Sequence, residues 1–205
     1  MTGRSPIPVF DIGNVLIRWD PRLLYRKLIA EERELDHFLT HVCAPEWNLQ
    51  MDAGKSFAQG VAERVALHPD KADLIRAFDE RWTETMGGLI EGSVAILEEL
   101  RSKGIKTYAI SNFSGEKYVV ASGLYPFLAL FDGVVISGHE GILKPDPRIF
   151  HLLCRRYGLA PGDCFFIDDS AANVAAARAE GMQAHLFENA EGLRKAMWQA
   201  GFPLS

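Results

Sequence analysis

Four short stretches of the chain carry side chains that could do chemistry together. VFDIGNVL (9–16) ends an apolar run in one carboxylate, Asp11; ISN (110–112) offers a hydroxyl and an amide, Ser111 and Asn112. LKPD (143–146) offers a cation, Lys144, and FIDDS (166–170) an acidic pair, Asp168 and Asp169. Taken singly, each is ordinary: a turn aspartate, a strand-end turn, a surface lysine, a helix cap. Brought to one place, three carboxylates repel, and their pKa values rise unless a cation neutralises them. A hard divalent ion with oxygen ligands, Mg²⁺ above all, meets that need; it binds one or two carboxylates together with phosphate oxygens. Asp11 beside such an ion can attack phosphorus and form an aspartyl-phosphate. Lys144 adds a fixed positive charge, and Ser111 and the Asn112 amide can hydrogen-bond the phosphoryl oxygens. Neighbouring strand residues face opposite ways, so Asp168 and Asp169 cannot serve alike: one is expected to hold the metal and the other to orient a partner.

The elements around these stretches are the right kind to gather them. Ile7–Phe10, IKTYAI (105–110), GVVIS (133–137), CFFID (164–168) and QAHLF (183–187) read as short strands, rich in β-branched and aromatic residues. Helical patterns separate the later ones: Val94, Leu97 and Leu100 form one stripe, and Ile149, Phe150, Leu153 and Tyr157 another. The latter helix is expected to start at Asp146-Pro147 and stop at Gly158, and Ser170 is expected to help cap the alanine-rich helix after it. Strands alternating with helices predict a doubly wound parallel sheet, an α/β fold with right-handed crossovers. All the polar strand ends then lie along one edge, the edge where open α/β sheets place their sites. Gly13 is read as the residue that lets the backbone turn sharply beside a ligand. Between Arg18 and about Gly88 the patterns are helical with no good strand, and Gly87-Gly88 reads as a break. The expected domains are therefore a core of residues 1–17 and 89–205 and a helical cap of residues 18–88, set over the edge where Asp11 emerges.

Bulk properties narrow the class. A chain of 205 residues suits one domain with an insertion or two small ones. A net charge of −5 argues against a nucleic-acid surface and against a basic membrane patch. Cys43, Cys154 and Cys164 are odd in number and scattered, which fits buried reduced thiols and a cytoplasmic setting better than disulfides or zinc. MTGRSPIP has no apolar signal core, and no apolar run reaches the roughly 18 residues of a membrane helix.

The four stretches, in this order and spacing, resemble the motifs of the haloacid dehalogenase-like (HAD) hydrolases, and the resemblance covers nearly the whole chain. It implies Asp11 as nucleophile, Ser111 as phosphate binder, Lys144 as the third motif, and Asp169 in the fourth motif's metal-ligand position. Asn173 stands where many members carry a further aspartate, and the 18–88 insertion is similar to the family's helical cap. Most phosphatases of the family carry a second aspartate two residues after the nucleophile, which protonates the leaving alcohol and then activates water. Here that position is Gly13, whose backbone carbonyl can reach Mg²⁺ but which cannot transfer a proton. A sugar-phosphate phosphatase subgroup with an FDxGNV pattern also lacks that aspartate. The resemblance thus implies a Mg²⁺-dependent phosphatase of a small phosphorylated metabolite, a sugar phosphate among the candidates. The alternatives are a metal-independent 2-haloacid dehalogenase, whose departing halide needs no acid, and a weakly catalytic phosphate-binding member.

Other candidates carry less. Asn14 orients Asp11, contacts substrate or holds the turn. In EWNLQMDAGKSF, Trp47 could stack on a sugar or aryl group or fill the cap core. His37 and His41 have ligand-like spacing but no third partner, and His139 reads as a loop histidine.

Overall fold

The computed structural model of the protein describes residues 6–205, so Met1–Ser5 of the N-terminal stretch read for a signal core lie outside the described residues. Five parallel strands form the central sheet: β1 (Ile7–Phe10), β4 (Tyr108–Ser111), β5 (Gly133–Ile136), β6 (Cys164–Asp168) and β7 (Gln183–Leu186). Their order is β5-β4-β1-β6-β7. The chain runs outward from β1 through β4 to β5, then crosses back over β1 to β6, so the order reverses beside β1. Such a reversal opens a crevice at the carboxyl ends of the strands.

Period-two alternation covers both faces. On β6, Phe165 and Ile167 join one apolar cluster with Phe10, Ala109 and Leu193, while Cys164 and Phe166 join the other with Val9, Ile110 and Phe150. The helices Glu91–Ser102 and Ala190–Gln199 supply the first face, and Pro147–Tyr157 supplies the second. As read from the sequence, Asp146 caps that last helix by accepting from the Arg148 N–H, and Gly158 ends it in the left-handed conformation. Ser170 does not cap with its side chain; its backbone N–H instead donates to Asp168 at 2.8 Å.

Between β1 and the helix Glu91–Ser102 the chain builds a helical layer. Pro45–Asp52, Phe57–Leu67 and Ala72–Glu80 pack around an aromatic centre in which Tyr25 lies 4.7 Å from Phe38 and Trp47 lies 5.1 Å from Phe78, ring to ring. The segment is not wholly helical. β2 (Ile17–Trp19) and β3 (Met86–Leu89) pair antiparallel where the layer leaves and rejoins the core. β3 contains Gly87 and Gly88, the two residues read as a break. Glycine carries no β signal, yet at Gly87 a Cβ would come within 2.9 Å of the Arg18 Cβ, so the strands can approach only because it is missing.

The three cysteines are buried and unpaired. Among the described residues no helix is long and apolar enough to cross a membrane.

Candidate active site

Register brings the charged residues together. Phe10 pairs with Ile167, so Asp11 leaves β1 alongside Asp168 at the end of β6. The Asp11 N–H bonds the Ile167 carbonyl at 2.8 Å, which fixes that alignment one residue beyond the last paired position.

Lys144 is the hub. Its ammonium lies 2.9 Å from Asp11 Oδ2 and 2.6 Å from Asp168 Oδ2, and it donates to the Ile110 carbonyl at 3.1 Å. Its side chain is 1% exposed, so all three donors are directed by protein. Burial alone would lower the Lys144 pKa, but Asp11 and Asp168 together lift it above the usual lysine value, and it stays charged. The Lys144 backbone is held in turn by Asn112, whose side chain accepts from the Lys144 N–H at 2.7 Å and donates to its carbonyl at 3.0 Å. The Asn112 side chain thus locks the lysine loop to the end of β4, and of its two amides it is the backbone N–H that stays with the cavity Asn112 lines.

Asp11 is buried. One oxygen accepts from the Ser111 hydroxyl and from the Ile12 N–H, each at 2.7 Å, and the other faces Lys144. Burial pushes its pKa up, Lys144 opposes the rise, and the Asp168 charge adds to it. Asp168 is fully buried and accepts from Asn173 Nδ2 at 3.0 Å and from the Ser170 N–H at 2.8 Å, besides its pair with Lys144. With its oxygens so engaged, Asp168 orients the lysine. Asp169 is the exposed member, lining the cavity above the strand ends, and its pKa is raised by burial and then by the charge of Asp168.

One carboxylate oxygen from each of Asp11, Asp168 and Asp169 lies within 4.8 Å of the others. A single lysine against three carboxylates leaves two negative charges over, the charge of one divalent cation. Gly13 also lines the cavity, and among the described residues no donor takes its carbonyl. Hard oxygen donors with unbalanced negative charge suit Mg²⁺.

The structure revises three further readings. Gly13 is not needed for the turn, because a Cβ there would meet nothing within 4 Å; the left-handed residue is Asn14, at φ 53°. Asn14 does not touch Asp11. Its Oδ1 accepts from the Trp19 N–H at 2.9 Å, so it holds the turn, and its side chain stands near Asp169 and slightly opposes the rise in that carboxyl's pKa. Trp47 is not a substrate contact: it is 2% exposed, packs on Phe78 and donates its indole N–H to the Gly60 carbonyl at 3.1 Å. His37 and His41 stack on each other at the surface of the helical layer.

The helical layer instead presents Asn48 and Asp52 to the cavity, which has a volume of about 220 Å³. These two are four residues apart and share a helix face about 100° round from that of Trp47 and Met51, a spacing visible in the sequence that pointed past the tryptophan. Lys117, from the core, also reaches the cavity; it bonds the Asp79 carboxylate and lies 4.3 Å over the Phe57 ring.

Comparison with known proteins agrees with this geometry. The haloacid dehalogenase-like hydrolase family matches residues 9–181. A sesquiterpene phosphatase of Aspergillus oryzae is 24% identical over 178 residues, covering 85% of each chain. A phosphatase of Mycobacterium tuberculosis is 38% identical over 95 residues, 45% of this chain and 43% of its own. The fold matches that of a HAD family enzyme of Bacteroides thetaiotaomicron solved with magnesium and inorganic phosphate, with a TM-score of 0.70 at 22% identity over 91% of this chain and 96% of that one. With its family match spanning most of the sequence and its buried lysine set among three strand-end carboxylates, this chain belongs to the haloacid dehalogenase-like hydrolases.

Proposed function

We propose that the chain is a Mg²⁺-dependent phosphomonoesterase that carries the phosphoryl group on Asp11. The observation that carries this reading is the triad of carboxylates within 4.8 Å, with Lys144 tying two of them. Asp11, Asp169 and the Gly13 carbonyl would hold the ion, and Asp168 would act through Lys144. When bound, Mg²⁺ supplies the charge neutralisation that lets two anions approach and a fixed seat for a phosphate oxygen.

The chain's own residues do the rest. Lys144 favours the ionised form of Asp11 against burial, and its charge lies where the equatorial oxygens of a transferring phosphoryl group develop charge. The Ser111 hydroxyl, now on Asp11, can turn to a phosphate oxygen beside the same carboxylate. Asn112 fixes Lys144, so the cation sits in place before substrate arrives.

The cavity wall speaks to the organic group. Ile17, Trp19, Phe57, Trp82, Met86 and Phe113 line it, more apolar surface than a sugar needs. The FDxGNV resemblance implied a sugar phosphate; this wall favours a group with a broad apolar face, in keeping with the sesquiterpene phosphatase among the relatives. The dehalogenase reading fares worse. Among the described residues no arginine lines the cavity to take a 2-haloacid carboxylate, and Asp169 would repel it.

The test is hydrolysis of p-nitrophenyl phosphate with Mg²⁺ and with EDTA. Turnover is expected with Mg²⁺ and at background with EDTA. Asp169→Asn is expected to shift the Mg²⁺ concentration for half-maximal rate upward by at least about tenfold, the scale of one lost charge-assisted contact. Turnover unaffected by EDTA would contradict the metal reading.

A further inference from the structure

Gly13 leaves the site without a proton donor where most phosphatases of the family have one, and the cavity shows where another stands. We propose that Asp52, carried by the helical layer, protonates the leaving oxygen and then activates the water, in place of the side chain that Gly13 lacks. This rests on the phosphatase reading above.

The groups around the cavity leave few other candidates. Lys144 and Asp168 are paired with each other, Asp11 is the nucleophile and Asp169 is a metal ligand in that reading. Lys117 is tied to the Asp79 carboxylate and backbone carbonyl. Among the described residues no histidine lines the cavity. Asp52 remains: a carboxyl lining the cavity, buried to 9% exposure, and among the described residues in no ion pair. Only neutral donors meet it. Asn48 Nδ2 lies 2.9 Å from Oδ2, and the Ser114 backbone N–H is turned toward the carboxyl from the core side.

A carboxyl so placed has no structural need of charge. Burial pushes its pKa up to about 7 and the Ser114 N–H opposes the rise, so near neutral pH both forms are populated, as a group that gives and then takes a proton requires. The charged groups facing it across the cavity are Lys117, Asp11, Lys144 and Asp169; Glu116 is turned to the Phe57 N–H and Glu46 lies on its own helix.

Its seat is built. The Asp52 carbonyl accepts from the Ser137 hydroxyl at 2.5 Å, which ties the end of the helix Pro45–Asp52 to the core. Two residues on, Gly54 has φ +104°, and a Cβ there would lie 3.1 Å from the Gly138 carbonyl, so the loop comes this close only as glycine. The layer therefore delivers Asp52 at a fixed place over the strand ends.

The steps balance. Asp11 oxygen bonds to phosphorus as the ester P–O bond breaks; its electron pair stays on the leaving oxygen, which takes the Asp52 proton and departs as the alcohol. Water oxygen then bonds to phosphorus while Asp52 carboxylate takes the water proton. The bond from phosphorus to Asp11 breaks with its pair returning to Asp11, and Asp52 is again protonated.

Asp52→Asn keeps the shape and an oxygen to accept from Asn48 but carries no transferable proton. The measurement is kcat/KM with Mg²⁺ for two substrates: p-nitrophenyl phosphate, whose leaving group needs no acid, and hexyl phosphate, whose leaving group does. Wild-type turnover of the first is the check on the phosphatase reading itself. In the variant, hexyl phosphate is expected to lose roughly 10²–10⁴-fold more kcat/KM than the aryl substrate, the usual worth of general acid catalysis, while kcat falls for both because the same carboxylate no longer activates water. The ratio of the two cancels any loss of folded protein. Wild-type rates for hexyl phosphate are also expected to fall as pH rises through about 7, where Asp52 loses its proton. An equal fall for both substrates, which loss of a purely structural tie would give, overturns the proposal; so does no fall for either, or a wild-type chain active on the aryl substrate alone.

Discussion

Asp11→Asn is expected to abolish turnover, by roughly 10⁴-fold or more, while the protein stays folded. The amide is no nucleophile toward phosphorus, and nothing else in the site is both unpaired and aligned to replace it. The fold should survive because asparagine keeps an oxygen to accept from the Ile12 N–H and the Ser111 hydroxyl. It also removes one of three crowded carboxylates, which offsets the lost pair with Lys144. The check is kcat on p-nitrophenyl phosphate beside a thermal melt. A folded variant with even a hundredth of the wild-type rate would remove Asp11 from the nucleophile's role.

Lys144→Met is expected to give the second large effect, on stability as well as rate. The methionine fills similar space, but Asp11 and Asp168 are left buried side by side with no cation. Breaking a buried pair from one side costs about 3–5 kcal/mol, and here two carboxylates lose the same partner. Their pKa values in the folded variant would rise above the unfolded values, so the folded state would bind more protons. Stability then falls as pH rises, and the deficit against wild type should be larger at pH 8 than at pH 5. Urea unfolding at both pH values without added metal reads this directly. A deficit below about 1 kcal/mol, the range of a surface pair, or one that is unchanged with pH, would mean that Lys144 is not the neutralising centre of the site.

The strand ends were legible because each is a short apolar run ending in a polar residue, and parallel pairing leaves only one edge for those residues. Asp11, Ser111, Asp168 and Asp169 meet there for that reason, and Lys144 joins them from the loop after β5, held by Asn112. The division between Asp168 and Asp169 was half legible: alternation says that they differ, but only the Lys144 and Asn173 contacts say which one is engaged. Three features stayed hidden. β3 has two glycines among its four residues, and its pairing with β2 rests on a backbone approach that no side-chain pattern marks. Gly13 looked like a turn glycine, yet the turn falls on Asn14, whose side chain compensates the left-handed backbone through Trp19. In the helical layer, aromatic size drew the eye to Trp47, although large aromatics fill cores more readily than they line cavities. The residues that face the strand ends, Asn48 and Asp52, are small and polar, and only the packing of Trp47 against Phe78 says which side of that helix looks inward.

The central claim is that phosphorus is held covalently by Asp11 during turnover. It is tested most directly by acid quench of the protein turning over p-nitrophenyl phosphate with Mg²⁺, followed by peptide mass spectrometry. The expected result is one phosphoryl group on the peptide that contains Asp11, absent with EDTA and absent from Asp11→Asn. Nitrophenolate release with no phosphoryl group on that peptide, or with the group on another residue, would contradict it.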